Sequence, residues 1–196
     1  MKKMKLPQNF KWINDIGQLP DMIIQAIPLL GIAEIKGQKS NPAILKFADE
    51  LGVRSIYTND DTSWCALAHN AIALRAGKKV LGYKDRYDIL RALAFRKNGV
   101  EINVKDWRVI LPGKEMFGDT LIFKRPGGGH IGFYIGESDT HYYVMGGNQN
   151  NMYSFTRIAK YRLAYVRRPM YNIATPESVK KYILKDDGVP ITSNEA

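Results

Sequence analysis

Apolar positions change period partway along the chain. Met22, Ile23, Ala26 and Ile27 follow helical spacing and stop at Pro28. Ile44, Leu45, Ala48 and Leu51 repeat that spacing behind Ser40-Asn41-Pro42, with Asn41 as cap, Pro42 at the first helical position and Gly52 as terminator. A third helix is predicted from Cys65 to Gly77 with Ala68, Ile72 and Ala76 on its packing stripe, and a fourth around Tyr87–Arg96. Beyond residue 118 the period becomes two. Asp119–Arg125 reads as a central strand, His130–Gly136 and His141–Asn148 as a hairpin about Glu137–Thr140, and Arg162–Arg168 as a closing strand. Pro126–Gly129 reads as a flexible loop delivering His130. The coarse expectation is α+β: an irregular leader over 1–20 with Phe10 and Trp12 pinned to the core, a main domain over 21–170, and a terminal stretch over 171–196 in which Thr175-Pro176 starts a short helix and 186–196 is disordered.

Composition narrows the class of protein. The 196 residues, 45% of them hydrophobic, suffice for one packed domain. No run of about 18 apolar residues occurs, so no transmembrane helix is expected. Met1–Lys5 is basic, but Gln8, Asn9, Lys11, Asn14 and Asp15 interrupt any apolar run behind it, and no conventional export signal is expected. A formal charge of +10 suits any anionic partner, from nucleic acid to membrane to cell wall. No zinc-ligand set, aromatic RNA-binding strand or helix-turn-helix signature accompanies it, so no specific nucleic acid is expected. A solvated basic face explains the charge equally well.

Cys65 is the only cysteine, placed where the polar loop Asn59–Ser63 turns into a helix. At a helix start the dipole favours thiolate, as a nucleophile requires. A small buried apolar residue is the competing reading, and on this segment the two are balanced. The hairpin tips the balance. In one register His130 stands opposite Asn148 and Gly132 opposite Gly146, so one face carries imidazole and carboxamide over two glycines that leave room for a helix. Ile131, Phe133, Ile135, Tyr143 and Met145 then form the other, core face. A thiol hydrolase needs a base for the thiol proton and a polar group to fix that base's tautomer. His69, one turn after Cys65, reads as structural. The three histidines are too few and too scattered for a zinc site, and neither metal nor cofactor is expected, with calcium at Asp60-Asp61 the exception.

Ile32-Ala33-Glu34, Lys39–Pro42, Asp61-Thr62-Ser63-Trp64-Cys65, Gly118–Phe123, Gly129–Tyr134 and Gly146-Gly147-Asn148-Gln149 occur in that order. Together they resemble the NlpC/P60- and CHAP-like cysteine peptidases, in particular a phage and prophage branch of peptidoglycan hydrolases, over about residues 25–168. The resemblance implies a papain-like fold with the nucleophile helix packed on a small antiparallel sheet. It implies Cys65 as nucleophile, His130 as general base and Asn148 as orienter. Ser63 departs from the pattern, where proline often precedes the Trp-Cys pair. Ala68 and His69 replace bulkier apolar residues, and 80–117 is longer and more basic.

The expected activity is cleavage of an amide in the peptide part of peptidoglycan, as in endolysins and other wall-lytic phage proteins, acting at the cell envelope after synthesis in the cytoplasm. Asn59, Asp60, Asp61 and Trp64 are the expected substrate contacts: Asn59 at the oxyanion, one of Asp60 and Asp61 at a free amine while the other caps the helix, and Trp64 at glycan. Arg91, Arg96, Lys97, Lys105 and Arg108 either line the cleft or form a solvated face, and the basic surface is available to anionic envelope polymers. A non-catalytic envelope or virion glycan-binding protein and a basic nucleic-acid-binding protein are the alternatives.

Overall fold

The computed structural model describes residues 4–37, 39–80, 85–97, 107–171, 174–185 and 188–191. Its helices come first: α1 (Asp21–Ala26), α2 (Pro42–Glu50), α3 (Cys65–Arg75) and the short α4 (Ala94–Lys97). The strands follow: β1 (Trp107–Ile110), β2 (Thr120–Arg125), β3 (Gly128–Glu137), β4 (His141–Gly146), β5 (Ser154–Ala159) and β6 (Leu163–Pro169). They form a six-stranded sheet in the order β1-β6-β2-β3-β4-β5, with every neighbour antiparallel. The protein is α+β.

Local chemistry sets the helix ends. The Asn41 side chain accepts the Ala43 N–H at 2.9 Å ahead of Pro42, a cap worth about 1 kcal/mol. Gly52 and Gly77 close α2 and α3 with positive φ. The helix expected over Tyr87–Arg96 is instead a 3₁₀ turn, Asp88–Leu90, and α4, because Arg91 between them is extended. Residues 8–15 of the expected irregular leader form a 3₁₀ helix whose Phe10 stacks on Phe155 at 3.8 Å. That segment belongs to the core. No helix starts at Thr175-Pro176; instead Ile183 and Ile191 bridge to Glu137 and Arg157. Of the expected disordered tail, Val189 is buried, while 186–187 and 192–196 lie outside the described residues. Gly128 and Gly129 are already strand, so His130 is delivered by paired backbone and not by a loop.

The sheet buries both faces. Ile122, Ile131, Phe133, Ile135, Tyr143 and Met145 join α1, α2 and α3 in the main core. Leu121, Phe123, Tyr134, Tyr142, Val144, Ile158 and Val166 form a second cluster on the opposite face. Burying the wider apolar stripe is the stronger driving force, so α3 lies on the Ile131–Phe133 face. The glycine face expected to receive it is filled otherwise: a Cβ on Gly132 would meet the Met145 carbonyl at 2.9 Å. Gly147 is where the helix comes close, since a Cβ there would stand 2.7 Å from Trp64 Cζ3. No helix among the described residues is long and apolar enough to cross a membrane.

Candidate active site around Cys65 and His130

α3 begins at Cys65, with Trp64 as the residue before its first turn. Trp64 is completely buried; its ring lies against Gly147 and its Nε1–H donates to Glu34 at 2.7 Å. This clamp fixes where the helix starts and hence where the sulfur sits. It also removes Trp64 from the expected role at glycan.

Cys65 is 3% exposed. Burial pushes its thiol up to about 11, outweighing the opposing pull of the backbone N–H groups of Ile131, Ala66 and Cys65 and of the Arg125 charge. The expected thiolate at a helix start is therefore overturned by desolvation, and the resting sulfur is a neutral thiol. The Ile131 amide reaches the sulfur where β4 has ended at Gly146 and leaves the β3 edge open.

His130, next in the chain to Ile131, is completely buried. It pairs with Phe123 across β2–β3, with ring centroids 6.4 Å apart. It therefore lies on the face opposite α3, and the two chemical groups reach β3 from its two sides at neighbouring residues. His130 Nε2 lies 3.1 Å from Gln149 Oε1. Gln149 Nε2 donates to the Ser154 carbonyl at 2.6 Å and to the Val144 carbonyl at 3.4 Å. Those donors fix the amide so that its oxygen faces the ring, which places the imidazole proton on Nε2 and the lone pair on Nδ1.

The side chain that meets the His130 ring here is thus Gln149, next to the expected Asn148. β4 stops at Gly146, and Asn148 turns into the left-handed region with φ 59°, so strand alternation no longer governs its side chain. Asn148 is 2% exposed, with an Oδ1 that has no hydrogen-bond partner among the described residues. Asn150 and Asn151 share its positive φ. A groove of about 370 Å³ lined by Ala33, Glu34, Lys36, Asn150 and Asn151 runs beside Trp64. Burial, with Asp60 and Asp61 adding to it, raises the Glu34 carboxyl, while the Trp64 bond opposes the rise.

The other expected contacts divide. Asp60 is buried, its carboxylate accepting the Asn41 N–H at 2.7 Å and the Ile35 N–H at 3.1 Å, so it pins the preceding loop and is not offered to substrate. Asn59 is exposed and its Oδ1 accepts from Thr62 N and Oγ1, both at 3.2 Å, shaping the turn ahead of the helix. Asp61 is exposed on that turn. Arg91 and Arg108 are exposed, Arg91 facing Asp85 and Asp88; Lys105 and the side chains of Arg96 and Lys97 lie outside the described residues. His69 packs on Phe133 at 4.4 Å and meets Thr120 Oγ1 at 2.9 Å, while burial and the nearby His130 lower it to about 3.

Sequence reasoning missed Gln149 as the partner of His130, although it closes the Gly-Gly-Asn-Gln motif, and missed Arg125. Half-buried at the end of β2, Arg125 reaches the Gly129 carbonyl from Nε at 3.3 Å and Ser63 Oγ from Nη2 at 3.4 Å. It bridges the segments that carry His130 and Cys65. A larger cavity, about 700 Å³, lies elsewhere, between residues 5–10, 152–155 and 188–190, and has no cysteine, histidine or carboxylate in its lining. Among the described residues no group of three or more His, Cys, Asp or Glu is placed to hold a metal ion. Comparison of the chain with protein-family models, curated proteins and solved structures gave no match.

Proposed function

We propose that the protein is a thiol hydrolase of papain-like design that cleaves an amide in the peptide part of peptidoglycan, with Cys65 as nucleophile, His130 as base and Gln149 as orienter. One observation carries the reading: the sulfur and the imidazole flank adjacent residues of β3, and the ring's far nitrogen is held by an amide that is itself held. The peptide substrate comes from the motif resemblance and from a basic surface suited to an anionic wall.

The neutral thiol dictates how the reaction starts. Around the β3 edge left open beyond Gly146, His130 Nδ1 takes the Cys65 proton as sulfur bonds to the carbonyl carbon, and negative charge passes to the carbonyl oxygen. Backbone N–H groups at the first turn of α3 receive that oxyanion. The C–N bond then breaks, the imidazolium Nε2–H stays on Gln149, and the Nδ1 proton goes to the leaving amine, giving a thioester. Water, deprotonated by His130, attacks the thioester carbon; sulfur leaves and recovers its proton. The product is a carboxylic acid.

The test uses purified sacculi and mass spectrometry of released muropeptides. Wild-type protein is expected to release fragments with new amine and carboxyl ends. Cys65→Ala and His130→Ala are expected to lower that release by at least about 1,000-fold while circular dichroism stays native. Release by folded Cys65→Ala at the wild-type rate would refute the mechanism and favour a wall-binding protein instead.

A further inference from the structure

The arginines of this protein are not equivalent. Arg54, Arg75, Arg91 and Arg168 each face a carboxylate within 4 Å. Arg125 faces none among the described residues. Its two hydrogen bonds go to a neutral carbonyl and a neutral hydroxyl, both at long range, and its fork has N–H donors left over. It is also half-buried, where an uncompensated charge is costly to keep. Its charge is near enough to the Cys65 sulfur to favour the thiolate.

We propose that Arg125 is the anion-binding residue of the Cys65 centre and that it takes a carboxylate on a residue joined by the scissile amide. The substrate is then an acidic peptide with a free carboxylate beside the cleaved bond. A planar guanidinium with adjacent free donors matches a carboxylate in a forked pair. A dianionic group fits less well, because Glu34, which holds the Trp64 next to Cys65, already feels the opposing charges of Asp60 and Asp61. The bonds to Gly129 and Ser63 tie the fork to the residues that precede His130 and the Trp64-Cys65 pair, so the carboxylate it holds fixes the amide against the sulfur. This inference rests on the thiol-hydrolase reading only in naming a substrate; the anion site itself is separable from it.

The deciding experiment compares alkylation of Cys65 by iodoacetate and by iodoacetamide, each displacing iodide as the S–C bond forms. The two reagents differ in whether a carboxylate stands beside the reacting carbon. In wild-type protein iodoacetate is expected to react faster relative to iodoacetamide than it does with a free thiol. Arg125→Gln is expected to lower that rate ratio by about 10- to 100-fold, the worth of a charge-assisted pair, with Arg125→Lys in between. An unchanged ratio in Arg125→Gln overturns the proposal, and so does a Cys65 that resists both reagents, since no carboxylate then reaches the site. Turnover of a stem peptide with a free carboxylate, against the same peptide as carboxamide, extends the test to substrate. Failure to cleave either peptide with the iodoacetate preference intact would sink the hydrolase reading and leave the anion site standing.

Discussion

The two ends of β3 treat polar groups in opposite ways. At the Glu137 end two buried carboxylates are matched by cations. Glu137 receives Lys160 at 3.1 Å, Lys181 at 3.2 Å and the Tyr134 hydroxyl at 3.0 Å, and Asp119 receives both arms of Arg168 at 2.7 and 2.8 Å. At the His130 end, among the described residues, the polar groups meet neutral ones: a thiol facing amides, an imidazole held by a carboxamide, an arginine with a carbonyl and a hydroxyl, and an asparagine oxygen without a hydrogen bond. The first end spends its polarity on the fold. The second keeps it for something that arrives.

The sharpest way to break this comparison is to unmatch the first end. Asp119 is completely buried, and burial pushes its carboxyl up while the Arg168 fork pulls it back. Asp119→Asn leaves the Arg168 charge without its counterpart. We predict a loss of about 2–3 kcal/mol in urea unfolding, below the full cost of breaking a buried pair because Arg168 is 18% exposed. Cys65 alkylation in the folded variant should match wild type. A variant as stable as wild type would mean that the matched end does not hold the fold.

His69 tests the partition a second way, because it sits close to His130 yet serves packing. Its unperturbed value of 6.5 drops to about 3 in the fold, chiefly through burial. Below pH 6.5 the unfolded chain binds a proton that the folded one refuses, so stability falls as pH drops from 6.5 towards 3. The slope for one such group is about 1.4 kcal/mol per pH unit. His69→Gln, which can still meet Thr120 Oγ1, is expected to be less stable at neutral pH and to show a shallower acid slope. Equal slopes in urea titrations of the two proteins would remove His69 from the acid sensitivity.

What the sequence made legible follows from how local each signal is. Asn41-Pro42 and Gly52 act over a few residues and placed α2 correctly. The start of α3 at Cys65 was legible for the same reason. The hairpin register was legible near Phe133–Met145 and Tyr134–Val144, where alternation holds. It failed at the ends. A bulge between Tyr134 and Gly136 shifts the pairing beside the turn, and three asparagines in the left-handed region carry the chain away after Gly146. Which sheet face receives α3 was not legible either, because glycines that seemed to clear a path are filled by their own neighbours. Burial of Cys65 is a tertiary property, and it reversed the expectation drawn from the helix dipole.

The smallest predicted effect separates the two candidates for orienter. Gln149 and Asn148 are adjacent and both buried, and it is Gln149 whose amide oxygen meets His130, at 3.1 Å. Gln149→Ala removes the acceptor at Nε2, so the proton is free to move to Nδ1, the wrong nitrogen for the proposed proton transfer. It does not remove the base itself, and the loss should fall on kcat, by about 10-fold, well short of the loss in His130→Ala. Asn148→Ala deletes an oxygen without a partner and touches no step of the proton path. Its kcat should stay within about twofold of wild type, with any change falling on KM if that oxygen meets substrate. Gln149→Asn supplies the decisive contrast: its shorter amide keeps the chemistry but loses the reach to the ring, so it should behave like Gln149→Ala. A larger kcat loss from Asn148→Ala than from Gln149→Ala would return the orienting role to Asn148 and require the ring of His130 to turn in the working enzyme.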